Sequence, residues 1–220
     1  MTCLARGESG EPAPDVHFVR ADRDQAHAYD PVSGERWDAV IELATQPGQV
    51  RRAAAALAPV AHRYLFVSSV SVYASHRQVD QDESAPLLAP LECDVMESLE
   101  FYGEAKVAGE NAVLRAFGPD RSLLARPGLI GGPGDPSGRS GYWPWRFACL
   151  SNSDGAVLVP DAPHLPTGLV DVRDLAAWLV SCAEAGTTGV FNAGANRMPL
   201  GEHLAAARAV AGHTGPPGRW

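Results

Sequence analysis

Two short stretches of the chain carry side chains able to move a proton. Tyr102-Gly103-Glu104-Ala105-Lys106 sets a phenol and an ammonium four residues apart, one turn from each other on a single helix face. A free phenol titrates near pH 10, too high for acid–base work at neutral pH. An ammonium about 4 Å away contributes up to ~4 kcal/mol at an effective dielectric of 20, which is about three pKa units before solvent screening. The second stretch is Ser68-Ser69-Val70-Ser71-Val72-Tyr73. A hydroxyl there can donate to a substrate carbonyl oxygen while the phenol supplies or removes the proton. Each stretch has a plain alternative: a tyrosine packed on a lysine stem, and a serine-rich strand end bonding its own backbone. The order of strand, hydroxyl pair, acidic loop and Tyr-x-x-x-Lys helix favours the chemical reading.

The elements that must hold these residues alternate between strand-length and helix-length patterns. Val16–Ala21, Ala39–Leu43, Tyr64–Ser69, Ser122–Arg126, Val157–Pro160 and Gly189–Asn192 read as strands. Tyr64–Ser69 is nearly continuous in apolar character, which suits a strand buried on both faces of a parallel sheet. Helices are expected over Gln49–Leu57, over Tyr102–Phe117, from about Asp171–Asp174 onward, and over Leu200–Ala211. Gly118-Pro119 stops the second of these. Gly128–Gly141, rich in glycine and proline, reads as loop, as does the tail from Gly212 to Trp220. Met1-Thr2-Cys3-Leu4 reads as the middle of a buried strand. The alternation predicts an α/β fold around a mostly parallel sheet.

Composition removes other classes. With 45% hydrophobic and 20% charged residues, the chain is neither disordered nor fibrous. A net charge of −8 has the wrong sign for wrapping phosphate backbones, so no nucleic acid is expected. No apolar run reaches the roughly 18 residues of a membrane span. The start of the chain lacks a secretory leader, so the cytoplasm is the expected compartment. The four cysteines, Cys3, Cys93, Cys149 and Cys182, lie far apart without a Cys-x-x-Cys pair. They read as reduced thiols, and no metal site is expected.

Phe66-Val67-Ser68-Ser69-Val70-Ser71-Val72-Tyr73, then Tyr102-Gly103-Glu104-Ala105-Lys106, then the run from Leu123 to Asp135, resemble the extended short-chain dehydrogenase/reductase superfamily. Its members include sugar-nucleotide epimerases, dehydratases and related reductases. Val19–Asp24, Asp38–Ala44, Leu169–Ala176 and Val190–Gly194 extend the resemblance along most of the chain. It implies a Rossmann-like, doubly wound, mostly parallel sheet. It also implies an NAD(P)-dependent oxidoreductase or epimerase acting on a carbonyl or secondary alcohol of a small-molecule substrate. By position, Ser69 polarises the carbonyl with Ser71 beside it, Tyr102 is the acid/base, and Lys106 holds the ribose hydroxyls and tunes the tyrosine. Asp22 and Arg23 flank the adenine, Leu43 and Ala44 line the middle of the cofactor, and Pro127 runs beside the nicotinamide. A homodimer through the helices at Gln49–Leu57 and Tyr102–Phe117 is a fold-level analogy.

The chain departs from this pattern at one place above all. The phosphate-cradling Gly-x-x-Gly-x-x-Gly that should open the first helix is absent. The expectation is therefore a single, partial NAD(P)-binding domain over 1–220 that lacks the first βα unit and is clipped at both ends. Its substrate-side segments fall at about 131–168 and 194–220. A non-catalytic or remnant relative, serving as a cofactor-sensing or protein-binding module, is the alternative this absence supports. Leu4-Ala5-Arg6 ends a strand without the acidic residue that bonds a ribose 2′-hydroxyl. Arg6 stands there, so NADP is expected over NAD. Glu42, ionisable within an apolar strand, is left between a ligand contact and a solvated gap.

Overall fold

The computed structural model describes residues 1–8, 10, 12–78, 80–151, 155–194, 197–215 and 217–219. The chain divides into two compact units, Met1–Arg126 with Leu179–Asn192, and Pro127–Trp178 with Ala193–Trp220. In chain order the first unit begins β1 (Thr2–Ala5), β2 (His17–Arg20), α1 (Asp30–Ser33), β3 (Trp37–Glu42), α2 (Pro47–Leu57) and β4 (Ala61–Val67). It continues with α3 (Tyr102–Phe117) and β5 (Ser122–Ala125). Then come β6 (Leu129–Gly131), α4 (Tyr142–Ala148), β7 (Val157–Val159), β8 (Pro166–Thr167), β9 (Leu169–Asp171) and α5 (Val172–Ala185). β10 (Gly189–Phe191), β11 (Met198–Pro199), α6 (Leu200–Val210) and β12 (Pro217–Arg219) complete the order.

In the first unit β10, β5, β4 and β3 lie side by side, with every pairing parallel. Tyr64, Leu65 and Phe66 of β4 are fully buried, so both faces of the strand are covered, as a parallel sheet requires. On one face α2 contributes Val50, Ala53, Ala54 and Leu57, and α3 contributes Val113 and Phe117. They close over Tyr64, Phe66 and Leu124 in a single core. Pro47 starts α2 at a position where a missing N–H costs nothing. Gly118, at φ 73°, ends α3. The α/β class and the mostly parallel sheet are those expected from the sequence.

β1 and β2 form a separate parallel pair, Thr2 opposite His17 through Ala5 opposite Arg20. Leu4 and Val19 pack against the same core as Val40 of β3. Among the described residues, β1 pairs only with β2 and β3 only with β4. No strand, and no glycine-rich turn opening a helix, stands between them among the described residues. Met1–Leu4 is thus not the middle of a buried strand: Met1 and Cys3 are exposed. β1 has one neighbour, and only its Leu4 side meets the core.

In the second unit β6 pairs with β9 and β7 with β12, both parallel, while β8 and β11 are antiparallel. Phe147, Val157, Val159, Leu204 and Ala207 make its core. Two loop expectations are corrected here. The Gly128–Gly141 stretch contains β6, and the tail contains β12, each a three-residue strand held by a partner distant in sequence. Asp135 organises the rest of the glycine-rich stretch by accepting from the Ser137 and Ser140 hydroxyls, both at 2.6 Å. The tail's Trp220 lies outside the described residues.

Candidate active site

β4 ends at Val67, and the chain enters a single 3₁₀ turn over Val70–Val72. Ser69 caps this turn. Its Oγ accepts from the Ser71 amide at 3.1 Å and donates to Ser71 Oγ, also at 3.1 Å. Both serine oxygens therefore sit together at the C-terminal end of the central strand, where open parallel sheets place ligands. Ser68, 2% exposed, has a buried Oγ with no hydrogen-bond partner among the described residues.

α3 meets that turn through Gly103. A Cβ on Gly103 would overlap the Ser71 carbonyl oxygen and Leu88 Cδ1. Glycine at this one position lets the first turn of α3 press against the serine turn, with the half-buried Tyr102 next to it. One turn further, Lys106 is 3% exposed. Its Nζ donates to the carbonyls of Ala44 and Val67, each at 2.9 Å. The ammonium lies 4.9 Å from the Phe66 ring centroid and 5.8 Å from that of Tyr102. Gly109 permits this depth, since a Cβ there would stand 2.7 Å from Phe66 Cζ. Burial lowers the Lys106 pKa to about 8, against the pull of the Glu42 and Glu110 carboxylates.

The residues expected along the cofactor take several places. Ala44 is buried at the end of β3 and joined to Lys106, whereas its neighbour Leu43 is 66% exposed. Asp22 closes a local turn by accepting from the Asp24 amide at 3.1 Å. Arg23 donates from Nη1 to Glu42 Oε1 at 2.6 Å. Arg6 is exposed and paired with Glu8 at 3.2 Å. Pro127 is buried and begins the second unit. The structure thus brings Ser69, Tyr102, Lys106 and Ala44 into one neighbourhood of the first unit.

Sequence reading passed over a buried network beside this neighbourhood. Glu110, one turn beyond Lys106, receives Arg126 Nε and Nη2 at 2.9 and 2.7 Å. Arg126 Nη1 also donates to Tyr73 Oη at 3.1 Å, and Tyr73 Oη donates to Asn192 Oδ1 at 2.6 Å. The i, i+4 spacing of Lys106 and Glu110 was a usable signal for one end; nothing local marks the other. A second overlooked signal is count: of the chain's 18 lysines and arginines, Lys106 alone is lysine. Among the described residues no group of three or more His, Cys, Asp or Glu could hold a metal ion. No helix of the described residues is long and apolar enough to cross a membrane.

No family profile and no curated protein sequence matches the chain. Solved structures do. WbmG of Bordetella bronchiseptica, in complex with NAD and UDP, superposes with a TM-score of 0.72 at 17% identity, over 100% of this chain and 74% of that one. UDP-glucuronic acid 4-epimerase from Bacillus cereus, in complex with NAD, gives 0.69 at 15%, over 94% and 70%. RMD from Pseudomonas aeruginosa, complexed with NADPH, gives 0.66 at 21%, over 96% and 81%. This chain therefore has the α/β fold of these solved structures. It lacks the first βα unit among the described residues.

Proposed function

We propose that the chain is an NAD(P)-dependent oxidoreductase or epimerase acting on a carbonyl or secondary alcohol of a small-molecule substrate. The observation that carries this reading is the setting of Lys106. An ammonium has three N–H donors. Two are fixed on the Ala44 and Val67 carbonyls, which leaves one to hold a ribose hydroxyl. That fits the ribose end of a nicotinamide dinucleotide. Among the described residues no Gly-x-x-Gly-x-x-Gly turn opens a helix for its pyrophosphate. The cofactor supplies or takes up hydride at the substrate carbon. Ser69 donates a hydrogen bond to the substrate oxygen, and Tyr102 gives or receives the proton on that oxygen as the carbon changes oxidation state. Lys106 stands beside that phenol, its ammonium 5.8 Å from the Tyr102 ring centroid. Asp22, Arg23, Leu43, Ala44 and Pro127 would line the remaining cofactor. Exposed Arg6 would meet a 2′-phosphate, so NADP is the favoured form. Self-association would use α2 and α3.

Thermal unfolding with NADPH, NADH or UDP tests the reading. Dinucleotide at about 100-fold its dissociation constant adds about 2.7 kcal/mol of stability and raises the midpoint. In a binding protein assayed with nucleotide-sugar substrates, Tyr102→Phe should then remove most turnover and keep that shift. No shift with either dinucleotide overturns the reading. The edges of β1 and β3, unpaired among the described residues, favour a second reading, a non-catalytic relative, which that outcome would support.

A further inference from the structure

Glu42 carries a buried carboxyl group that the proposed chemistry does not use. It ends β3, is 5% exposed, and follows Val40 and Ile41 in an otherwise largely apolar strand end. Its Oε1 accepts from Arg23 Nη1 at 2.6 Å and from the Ala44 amide at 2.7 Å. Its Oε2 accepts from Tyr64 Oη at 3.3 Å. The carbonyl of the same Ala44 receives Lys106 Nζ at 2.9 Å. A single residue's backbone thus spans the distance between a buried carboxylate and the chain's one lysine ammonium.

The direct partners of Lys106 are neutral. They are two carbonyls and the rings of Phe66 and Tyr102. Among the described residues no carboxylate lies within ion-pair distance of it. A buried ammonium so held depends on charges one shell away. Those charges are Glu42 at the end of β3 and Glu110 on α3, with Glu42 the stronger. Arg23 and the Ala44 amide both donate to one oxygen of that Glu42 carboxylate, at 2.6 and 2.7 Å. Tyr64 and Tyr29, also near the carboxylate, are pushed up by burial and by Glu42 itself, Tyr29 to about 12. They remain neutral donors.

We propose that Glu42 is the positioning residue of Lys106. Through Ala44 it fixes where the ammonium sits, and it sets a carboxylate beside that buried cation. The functional meaning rests on Lys106 being the ribose-binding cation of the proposed site.

The test needs no cofactor, so the two readings fail separately. With one lysine in the chain, ¹³Cε-lysine labelling gives one side-chain resonance, and its titration reads Lys106 directly. Glu42→Gln should lower the midpoint by about half a unit or more. An unchanged midpoint in a folded variant overturns the proposal. Glu42→Asp keeps the charge but withdraws it by one methylene, and serves if the glutamine variant does not fold. It should lower the midpoint less and speed hydrogen exchange at the Ala44 amide. An unchanged midpoint with unchanged Ala44 protection also overturns the proposal. An exposed control, Glu8→Gln, should leave the titration where it was.

Discussion

Glu110 and Arg126 meet fork to fork, at 2.9 and 2.7 Å, with their side chains only 3% and 4% exposed. The pair ties the middle of α3 to the end of β5, and Tyr73 and Asn192 extend it to the end of β10. α3 carries Tyr102 and Lys106, so this bond restrains the helix on which the proposed chemistry depends.

Glu110→Ala leaves a buried guanidinium without its counter-charge, which costs about 3–5 kcal/mol. Urea unfolding should show a loss of that size. Glu110→Gln with Arg126→Met, which removes both charges, should lose clearly less. Equal losses would mean that volume matters here rather than charge.

Gly103→Ala should destabilise the chain by about 1–3 kcal/mol, the usual cost of forcing extra volume into a packed contact. The new methyl meets a backbone carbonyl, that of Ser71, as well as the softer Leu88 side chain. The check is a denaturant midpoint. A neutral substitution would show that the serine turn and α3 are not in contact.

Lys106 gives a pH dependence of definite sign. Its proton is held to about pH 8 in the folded chain, against an ordinary value of 10.5. Below pH 8 both folded and unfolded states are protonated, and the burial cost is borne in full. Between about 8 and 10.5 the unfolded chain binds more protons, so this group's contribution to stability rises with pH. Comparing wild type with Lys106→Met at pH 7 and pH 10 isolates the effect. The difference should move in favour of the wild type at the higher pH, and a shift the other way would contradict the buried placement.

The thiols provide a check on the fold itself. Cys3, Cys93 and Cys149 are exposed, and Cys182 is buried. A thiol reagent should modify three groups quickly and the fourth only on unfolding. Rapid modification of Cys182 would dislodge α5 from its described position.

Much of the first unit was legible because its signals are local. α3 was bounded at Tyr102 and Phe117 by a glycine–proline stop and a steady helical pattern; the apolar run located β4 but not its ends, since the strand spans Ala61–Val67 rather than Tyr64–Ser69. The pairing of Ser69 with Ser71 follows from two residues of separation. What was not legible depends on partners far along the chain. β6 is three residues inside a glycine-rich stretch and exists because β9 lies beside it. α4 begins one residue after that stretch and carries Pro144 in its first turn, where proline is tolerated but weakens the helical pattern. The setting of Glu42 needed Arg23, 19 residues away, to be brought alongside by β2 and β3. Arg126 likewise found Glu110 only through the packing of α3 on β5.

The solitary lysine also makes the chain a gauge of its own folding. A protease that cuts only after lysine has a single target, and the fold places that target in a helix at 3% exposure. The folded chain should resist such an enzyme, while unfolding exposes one bond whose cleavage yields two fragments, residues 1–106 and 107–220. When opening and closing are fast relative to cleavage, the rate of appearance of those fragments reports the population of the open chain. Stability could then be followed in a crude mixture, without a dye or a purified sample, by the loss of one band.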